Sequence, residues 1–137
     1  MQRIIKDGQV IDETWHLLPK DVTLDGLSNC DDLIVPFQLW LDHAHALKVR
    51  DGGLGVWLDS DEAVEEIADD LENFQVIALN FPAFTDGRHY STARLLRDRY
   101  GYKGEIRAIG DVLRDQLFYM RRCGFDAFAV RPDHDPH

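Results

Sequence analysis

Short apolar runs alternate along the chain with longer segments in which apolar residues recur at helical spacing. The runs LGVWL at 54–58, QVIALNF at 75–81 and FDAFAV at 125–130 are almost continuously apolar, a pattern typical of strands that are buried on both faces. Similar runs at 33–36 and 105–109 bring the predicted strands of this part of the chain to five.

Four helices are predicted between these strands, at 37–49, 60–71, 88–100 and 111–123. Ser60 is suited to cap the second helix, because its hydroxyl can accept from a backbone N–H and acidic residues follow in the first turn. Gly101 and Gly124 end the third and fourth helices, since glycine tolerates the left-handed conformation that commonly follows a helix.

Strands that alternate with helices in this way predict right-handed crossovers and a mainly parallel α/β sheet. Two layouts fit the repeat. The first choice is an open doubly wound sheet, and the alternative is a partial β/α barrel. The chain has 137 residues, too few for a closed eight-fold barrel of roughly 200 to 250 residues.

Residues 2–12 hold two β-prone runs on either side of Lys6-Asp7-Gly8, which predicts an N-terminal β-hairpin. The length favours one α/β domain over 1–137, divided into the hairpin and a loop at 1–32, the β-α repeats at 33–131 and a tail at 132–137. No helix follows the last strand, so its edge is predicted to be exposed or to pair with another chain in a homo-oligomer.

Composition and charge narrow the class of protein. With 45% hydrophobic and 29% charged residues the chain is an ordinary globular sequence. A net charge of -10 argues against nucleic-acid binding. The absence of a long apolar run argues against a membrane span, and the N-terminus lacks the apolar segment of a secretory signal, so we expect a cytoplasmic protein.

The charge is divided unevenly between the two halves of the chain. Residues 1–72 carry 5 basic and 17 acidic side chains, whereas residues 73–137 carry 10 basic and 8 acidic ones. One interpretation is a solvated acidic face that serves solubility. The other is that the acidic half meets a basic partner while the C-terminal half meets an anion.

Candidate chemistry lies beyond the carboxyl ends of the predicted strands, where parallel α/β sheets bind ligands. The longest loop there reads NFPAFTDGRHYS and starts at Asn80. Its turn and the neighbouring Gly110-Asp111 turn can present backbone N–H groups and guanidinium groups to an oxyanion such as sulfite; alternatively, Asp86 and Asp111 only cap helices. The candidate ligand-binding residues are Asn80, Thr85, Gly87, Arg88, Gly110, Arg114 and Gln116.

Proton transfer at this edge is assigned to Asp86, His89 or Asp111, with His89 the histidine best placed for acid-base work. His43 and His45 point about 200° apart on a helix and cannot share a metal, so no metal site is predicted. No dinucleotide fingerprint, P-loop or nucleophile elbow occurs. A flavin or nicotinamide cofactor stays open, and the cofactor is unknown.

Several separated motifs occur together in order: Phe84-Thr85-Asp86-Gly87-Arg88, Arg94-Leu95-Leu96-Arg97, the run from Arg107 to Gln116, and Arg122-Cys123-Gly124-Phe125-Asp126. In these motifs the chain resembles a bacterial family of unknown function that is encoded beside sulfite reductase genes and described as an oxidoreductase of sulfite reduction. The resemblance implies an accessory protein of assimilatory sulfite or sulfate reduction that acts with sulfite reductase. The alternative is a small-molecule enzyme or a binding module for an anionic ligand at the carboxyl edge of the sheet.

Overall fold

The computed structural model describes residues 3–6, 9–12, 15–25, 27, 31–81, 88–110 and 117–129. Within these ranges eight strands form one sheet in the order β2-β1-β8-β7-β6-β5-β4-β3. The strands are β1 Arg3–Lys6, β2 Gln9–Asp12, β3 His16–Leu17, β4 Leu33–Pro36, β5 Leu54–Leu58, β6 Val76–Phe81, β7 Glu105–Gly110 and β8 Ala127–Phe128.

The strands β3 to β8 are parallel and follow one another across the sheet in chain order. The prediction of a mainly parallel α/β sheet is therefore confirmed. The first-choice layout was wrong, because a doubly wound sheet needs a point at which the strand order reverses. Here each strand adds on the same side as the one before it, so right-handed connections share one face and the sheet curls into a partial barrel.

The predicted N-terminal hairpin is confirmed, since β1 and β2 pair antiparallel with Lys6 opposite Gln9. The expectation for the edge of the last strand was wrong. β1 also pairs antiparallel with β8, with Ile5 opposite Phe128, so the hairpin covers an edge that was expected to be exposed or to meet another chain.

Helices connect the parallel strands. They are α1 Phe37–Lys48, a 3₁₀ helix at Val64–Asn73, α2 Arg88–Arg94 with a π-helical continuation at Leu95–Arg99, and α3 Leu117–Cys123. No helix in the described ranges is both long enough and apolar enough to cross a membrane.

Ser60 does not cap the second helix, which begins only at Val64 after Ala63. Instead the chain closes a turn: Glu62 N donates to the Asp59 carbonyl oxygen over 3.0 Å, and Asp59 N donates to Glu62 Oε1 over 2.6 Å. Side-chain-to-backbone bonds of this kind compete with helix formation. The helix therefore starts later than the capping pattern predicts.

The two faces of the sheet bury different cores. Side chains that point toward the helices, such as Val56, Leu79 and Phe128, belong to the larger core. The opposite face buries a smaller core, which among the described residues contains no helical side chain: Ile4, Ile34, Trp57, Val76, Ala78, Ile109, Ala127 and Ala129. Alternate residues of each strand thus enter different cores, which explains why the strands read as continuously apolar.

The smaller core also holds an ion-pair network between β1 and β7. Arg107, only 3% exposed, approaches Glu105 Oε2 to 2.8 Å, and Lys6 Nζ lies 2.8 Å from Glu105 Oε1. Ala127 of the intervening strand β8 is in register with both Lys6 and Arg107. Because alanine is small, the long side chains can meet across it, and the network ties the hairpin to the parallel sheet.

Candidate functional site

The carboxyl ends of β5, β6 and β7 lie side by side at one edge of the sheet. The pairing of β6 with β7 continues to Phe81 opposite Gly110, the last residue of each strand. Phe81 and Gly110, the residues that precede the two segments singled out by the sequence, are therefore neighbours. These C-terminal strand ends form the candidate functional site, which is called the carboxyl edge below.

Asp59, the first residue after β5, is the centre of the hydrogen bonds at the carboxyl edge. Its Oδ1 accepts from Asn80 Nδ2 over 3.0 Å and from the backbone N–H of Ser60 over 2.9 Å. Its Oδ2 accepts from Lys20 Nζ over 2.6 Å. One carboxylate thus joins residues from three separate stretches of the chain.

The ionisation of Asp59 follows from these contacts. Burial on its own would raise the pKa of the carboxyl group, but the hydrogen bonds from Lys20, Asn80 and Ser60 outweigh it and lower the pKa to about 2. The pKa of Lys20 is raised, chiefly by the hydrogen bond to Asp59. Both groups are therefore charged at neutral pH, and neither suits proton transfer there.

His89 joins α2 to the end of β5. Its side chain is 2% exposed, and Nε2 lies 2.9 Å from the Asp59 carbonyl oxygen. A carbonyl oxygen only accepts, so Nε2 carries the proton and donates it. The other ring nitrogen, Nδ1, lies 3.2 Å from Thr92 Oγ1. These contacts orient the backbone of Asp59 and suit a positioning role for His89.

Gly110 meets Asn80 where β6 and β7 end. Its φ of +88° lies in the left-handed region, and a Cβ there would lie 2.5 Å from the Phe81 carbonyl oxygen and would also collide with Asn80 Oδ1. Only glycine fits this backbone without displacement. Since Asn80 Nδ2 donates to Asp59, the amide of Asn80 is fixed between β5 and β7.

The structure brings together three of the predicted site residues, Asn80, His89 and Gly110, around Asp59. Arg88 is the first residue of α2 and directly precedes His89. The remaining predicted residues lie outside the described residues: Thr85, Asp86, Gly87, Asp111, Arg114 and Gln116.

Two residues of the carboxyl edge were missed as site residues. Asp59 directly follows the apolar run at 54–58, a signal that places a residue at this edge but does not distinguish it from other loop residues. Lys20 lies in the segment predicted only as a loop, because the strand before it, β3, has only two residues, His16 and Leu17, and both are exposed. A strand of that length leaves no alternation to detect.

The chemistry available at the carboxyl edge is that of hydrogen-bond donors held by a carboxylate. Lys20 and Asn80 are oriented by the same acceptor, and an ammonium and an amide both donate to oxyanions. No group of three potential metal ligands occurs within the described ranges. The described contacts therefore form a fixed hydrogen-bond cluster around the Asp59 carboxylate.

Comparison with known proteins identifies one family. The model of a family described as a bacterial protein of unknown function, DUF934, matches residues 55–137. No curated protein and no solved structure matches the chain. The matched segment begins within β5 and contains Asp59, Asn80, His89 and Gly110.

Replacement of Gly110 by alanine is expected to lower the free energy of unfolding by about 3 kcal/mol, because left-handed strain and the collision with the end of β6 add. The matched control is Gly101→Ala. Gly101 has a φ of +64° with nothing within 4 Å of the added Cβ, so about 1 kcal/mol is expected from strain alone. Chemical denaturation measures both, and equal losses would contradict the close approach of Gly110 to Asn80.

Because the pKa of Asp59 is lowered in the folded protein, the free energy of unfolding depends on pH in the acid range. A carboxyl group whose folded pKa is about 2, against 3.8 for the ordinary side chain, stabilises the fold above about pH 4 and loses that contribution as the pH falls toward 2. We expect Asp59→Asn to be less stable than wild type near neutrality, by about 1 kcal/mol after solvent screening, and to approach it at pH 2. Urea denaturation at both pH values measures the difference in the free energy of unfolding between the two proteins. The contributions of the other carboxyl groups cancel in this difference. A difference that does not change with pH would contradict the ion pair.

Proposed function

This chain belongs to the DUF934 family of bacterial proteins of unknown function, and we propose that it is a cytoplasmic accessory protein of assimilatory sulfite or sulfate reduction. In this role it acts with sulfite reductase as an oxidoreductase component and holds a sulfur oxyanion at the carboxyl edge. The resemblance of its motifs to proteins encoded beside sulfite reductase genes supplies the pathway. The geometry of the edge supports the ligand class.

The observation that carries the proposal is the convergence of donors on the carboxyl edge. Asp59 orients the Lys20 ammonium and the Asn80 amide, and Phe81 pairs with Gly110, the two residues that precede the segments with the remaining candidates. Sulfite and sulfate are compact anions with oxygen acceptors on several sides. Donors that reach them from different strand ends fit that shape.

Within this proposal, residues at and after the ends of β6 and β7 hold the ligand. Proton transfer, if the protein catalyses it, falls to Asp86, His89 or Asp111. The contacts of His89 favour positioning, because its Nε2–H is donated to the Asp59 carbonyl oxygen, which leaves the two aspartates as the proton-transfer candidates. The proposed ligand-binding residues are Asn80, Thr85, Gly87, Arg88, Gly110, Arg114 and Gln116.

Charge supports an interaction with sulfite reductase through the acidic half of the chain. The 3₁₀ helix exposes Glu65, Glu66, Asp69 and Glu72 on one element. An acidic surface of this kind is attracted to a basic partner surface, and salt weakens the attraction.

The second candidate function is that of a free-standing enzyme or binding module for a small anionic ligand. The donor cluster at the carboxyl edge favours it, since Lys20, Asp59 and Asn80 assemble within one chain and need no partner. The two candidates share the ligand site and differ in their dependence on sulfite reductase.

Purified sulfite reductase tests the first candidate. We expect the immobilised protein to retain the enzyme at low salt and to release it at high salt. Glu65→Lys combined with Glu66→Lys should abolish retention, whereas Asp98→Lys, an exposed acidic residue in the C-terminal half, should leave it nearly unchanged. No retention of the enzyme by the wild-type protein at low salt would refute the partnership and leave the second candidate standing.

Calorimetric titration with sulfite, sulfate and phosphate tests the ligand site. Arg88→Ala is expected to weaken binding of the preferred oxyanion by roughly tenfold or more, as the loss of a charge-assisted hydrogen bond implies. The control is Arg121→Ala, which removes an exposed arginine from α3. Equal affinities for wild type and Arg88→Ala would exclude Arg88 from the site.

A further inference from the structure

We propose that the chain binds a free α-amino acid with an apolar side chain in a groove at the amino ends of β6 and β7. The groove, called the amino-end groove below, has a volume of about 330 Å³ and lies between the end of the 3₁₀ helix and the loop before β7. It is at the opposite end of these strands from the carboxyl edge, so the inference goes beyond the proposed function. The side chains that line it include Leu71, Glu72, Phe74, Tyr100, Tyr102 and Lys103.

Two opposite charges border the amino-end groove without neutralising each other. Glu72 and Lys103 are both exposed, and within the described ranges neither side chain takes part in an ion pair or a hydrogen bond. An α-amino acid carries an ammonium and a carboxylate on the same carbon atom. It can therefore pair its ammonium with Glu72 and its carboxylate with Lys103 at the same time.

Arg97 holds the wall of the groove that carries Lys103. Its Nη1 donates to the Tyr102 carbonyl oxygen over 2.7 Å and to the Gly104 carbonyl oxygen over 2.9 Å. The guanidinium is itself fixed, because Nη2 donates to Asp126 Oδ2 over 2.5 Å. The residues on both sides of Lys103 are thus anchored, and its ammonium keeps three N–H donors for a ligand.

Buried neighbours hold the wall that carries Glu72. Leu71 and Phe74 are both buried, and the Phe74 N–H donates to the Leu71 carbonyl oxygen over 3.1 Å. The Tyr102 hydroxyl donates to the Phe74 carbonyl oxygen over 2.9 Å, which ties the two walls together. A Cβ on Gly104 would lie 2.6 Å from Tyr102 Cζ, so glycine makes room for this ring.

The lining selects a small ligand with an apolar side chain. Leu71, Phe74 and Tyr100 supply apolar surface next to the two charges, a combination typical of small-molecule sites. The volume lies at the lower end of the range of such sites, roughly 300 to 1,000 Å³, which suits a single amino acid. The flanking 3₁₀ and π-helical segments end at Asn73 and Arg99, and the negative ends of helix dipoles favour the ligand's ammonium.

A second cavity shares Glu72 but offers it no comparable cation. This cavity, of about 210 Å³, is lined by Glu72 together with Lys48 and Arg50. Lys48 Nζ lies 5.7 Å from the centre of the Trp40 ring, and Arg50 donates to two backbone carbonyl oxygens. Lys103 has no such contact among the described residues, so the amino-end groove is the better site for a zwitterion.

NMR titration of the full-length protein with L-leucine tests the site. We expect leucine to shift the backbone amide resonances of Gly101 and Gly104 but not that of Gly110 at the carboxyl edge. Two analogues keep the side chain and lose one charge each: 3-methylbutylamine lacks the carboxylate and 4-methylpentanoate lacks the ammonium. Each should bind roughly three- to fivefold more weakly than leucine, as expected for the loss of one partly exposed ion pair.

Four variants locate the ligand. Glu72→Gln and Lys103→Met should each weaken leucine binding by roughly three- to fivefold. Lys48→Met, in the second cavity, and Glu65→Gln, on the exposed side of the 3₁₀ helix, should match wild type. All four change exposed side chains, so the fold is expected to be unaffected.

Three results would overturn the inference. The first is that leucine shifts neither Gly101 nor Gly104. The second is that leucine and its two single-charge analogues bind equally well, which needs no variant to establish. The third is that Lys48→Met weakens binding while Lys103→Met does not, since the ligand would then lie in the second cavity. None of these results bears on the oxyanion proposal, because the ligands and variants leave the carboxyl edge unchanged.

Discussion

Burial of a charged carboxylate at the end of a strand costs free energy, which hydrogen-bond donors must offset. The contacts at the carboxyl edge follow from this requirement. Asp59 follows the buried Leu58 directly, and burial alone would favour its neutral form. Lys20, Asn80 and the Ser60 N–H supply the donors, and His89 binds the carbonyl oxygen of the same residue. Lys20, Asn80 and His89, which are distant in the chain, thus contact the same residue, Asp59.

The strand order makes these meetings possible. Because β3 to β7 are parallel and follow chain order, every strand of the series delivers its carboxyl end to the same edge. Lys20 comes two residues after Leu18, which continues the pairing of β3, and reaches across the end of β4 to Asp59. In a doubly wound sheet the first strand of the series lies in the middle of the sheet. The distance that Lys20 spans from β3 to the end of β5 would then be different.

Ion pairs occur both on the face of the smaller core and at the carboxyl edge. On the face of the smaller core, Glu105 lies between the buried Arg107 and Lys6, whose side chain is 42% exposed, and these charges meet over the small Ala127. At the carboxyl edge the carboxylate is satisfied and Lys20 is half exposed. Both networks therefore combine a largely buried carboxylate with a partly exposed lysine.

The position of the candidate site was predictable from local patterns, but the identity of its central residue was not. Asn80 and Gly110 follow from the rule that strand ends converge, and the register of Phe81 with Gly110 bears out that adjacency. Asp59 looked like any polar residue after a strand, since nothing local shows that Lys20 and Asn80 approach it. The late start of the 3₁₀ helix has a different, local origin, because a turn closed by Asp59 and Glu62 competes with the cap expected at Ser60.

The sequence by itself determined the alternation of strands and helices and the N-terminal hairpin, because these depend on the apolar period and turn residues over short stretches. Only the tertiary structure decided the order of strands, the covering of β8 by the hairpin, and the ion pair between Lys20 and Asp59. The physical reason is that strand order and long-range charge pairs depend on which surfaces are buried together, and a two-residue strand such as His16–Leu17 carries no periodic signal of its neighbours.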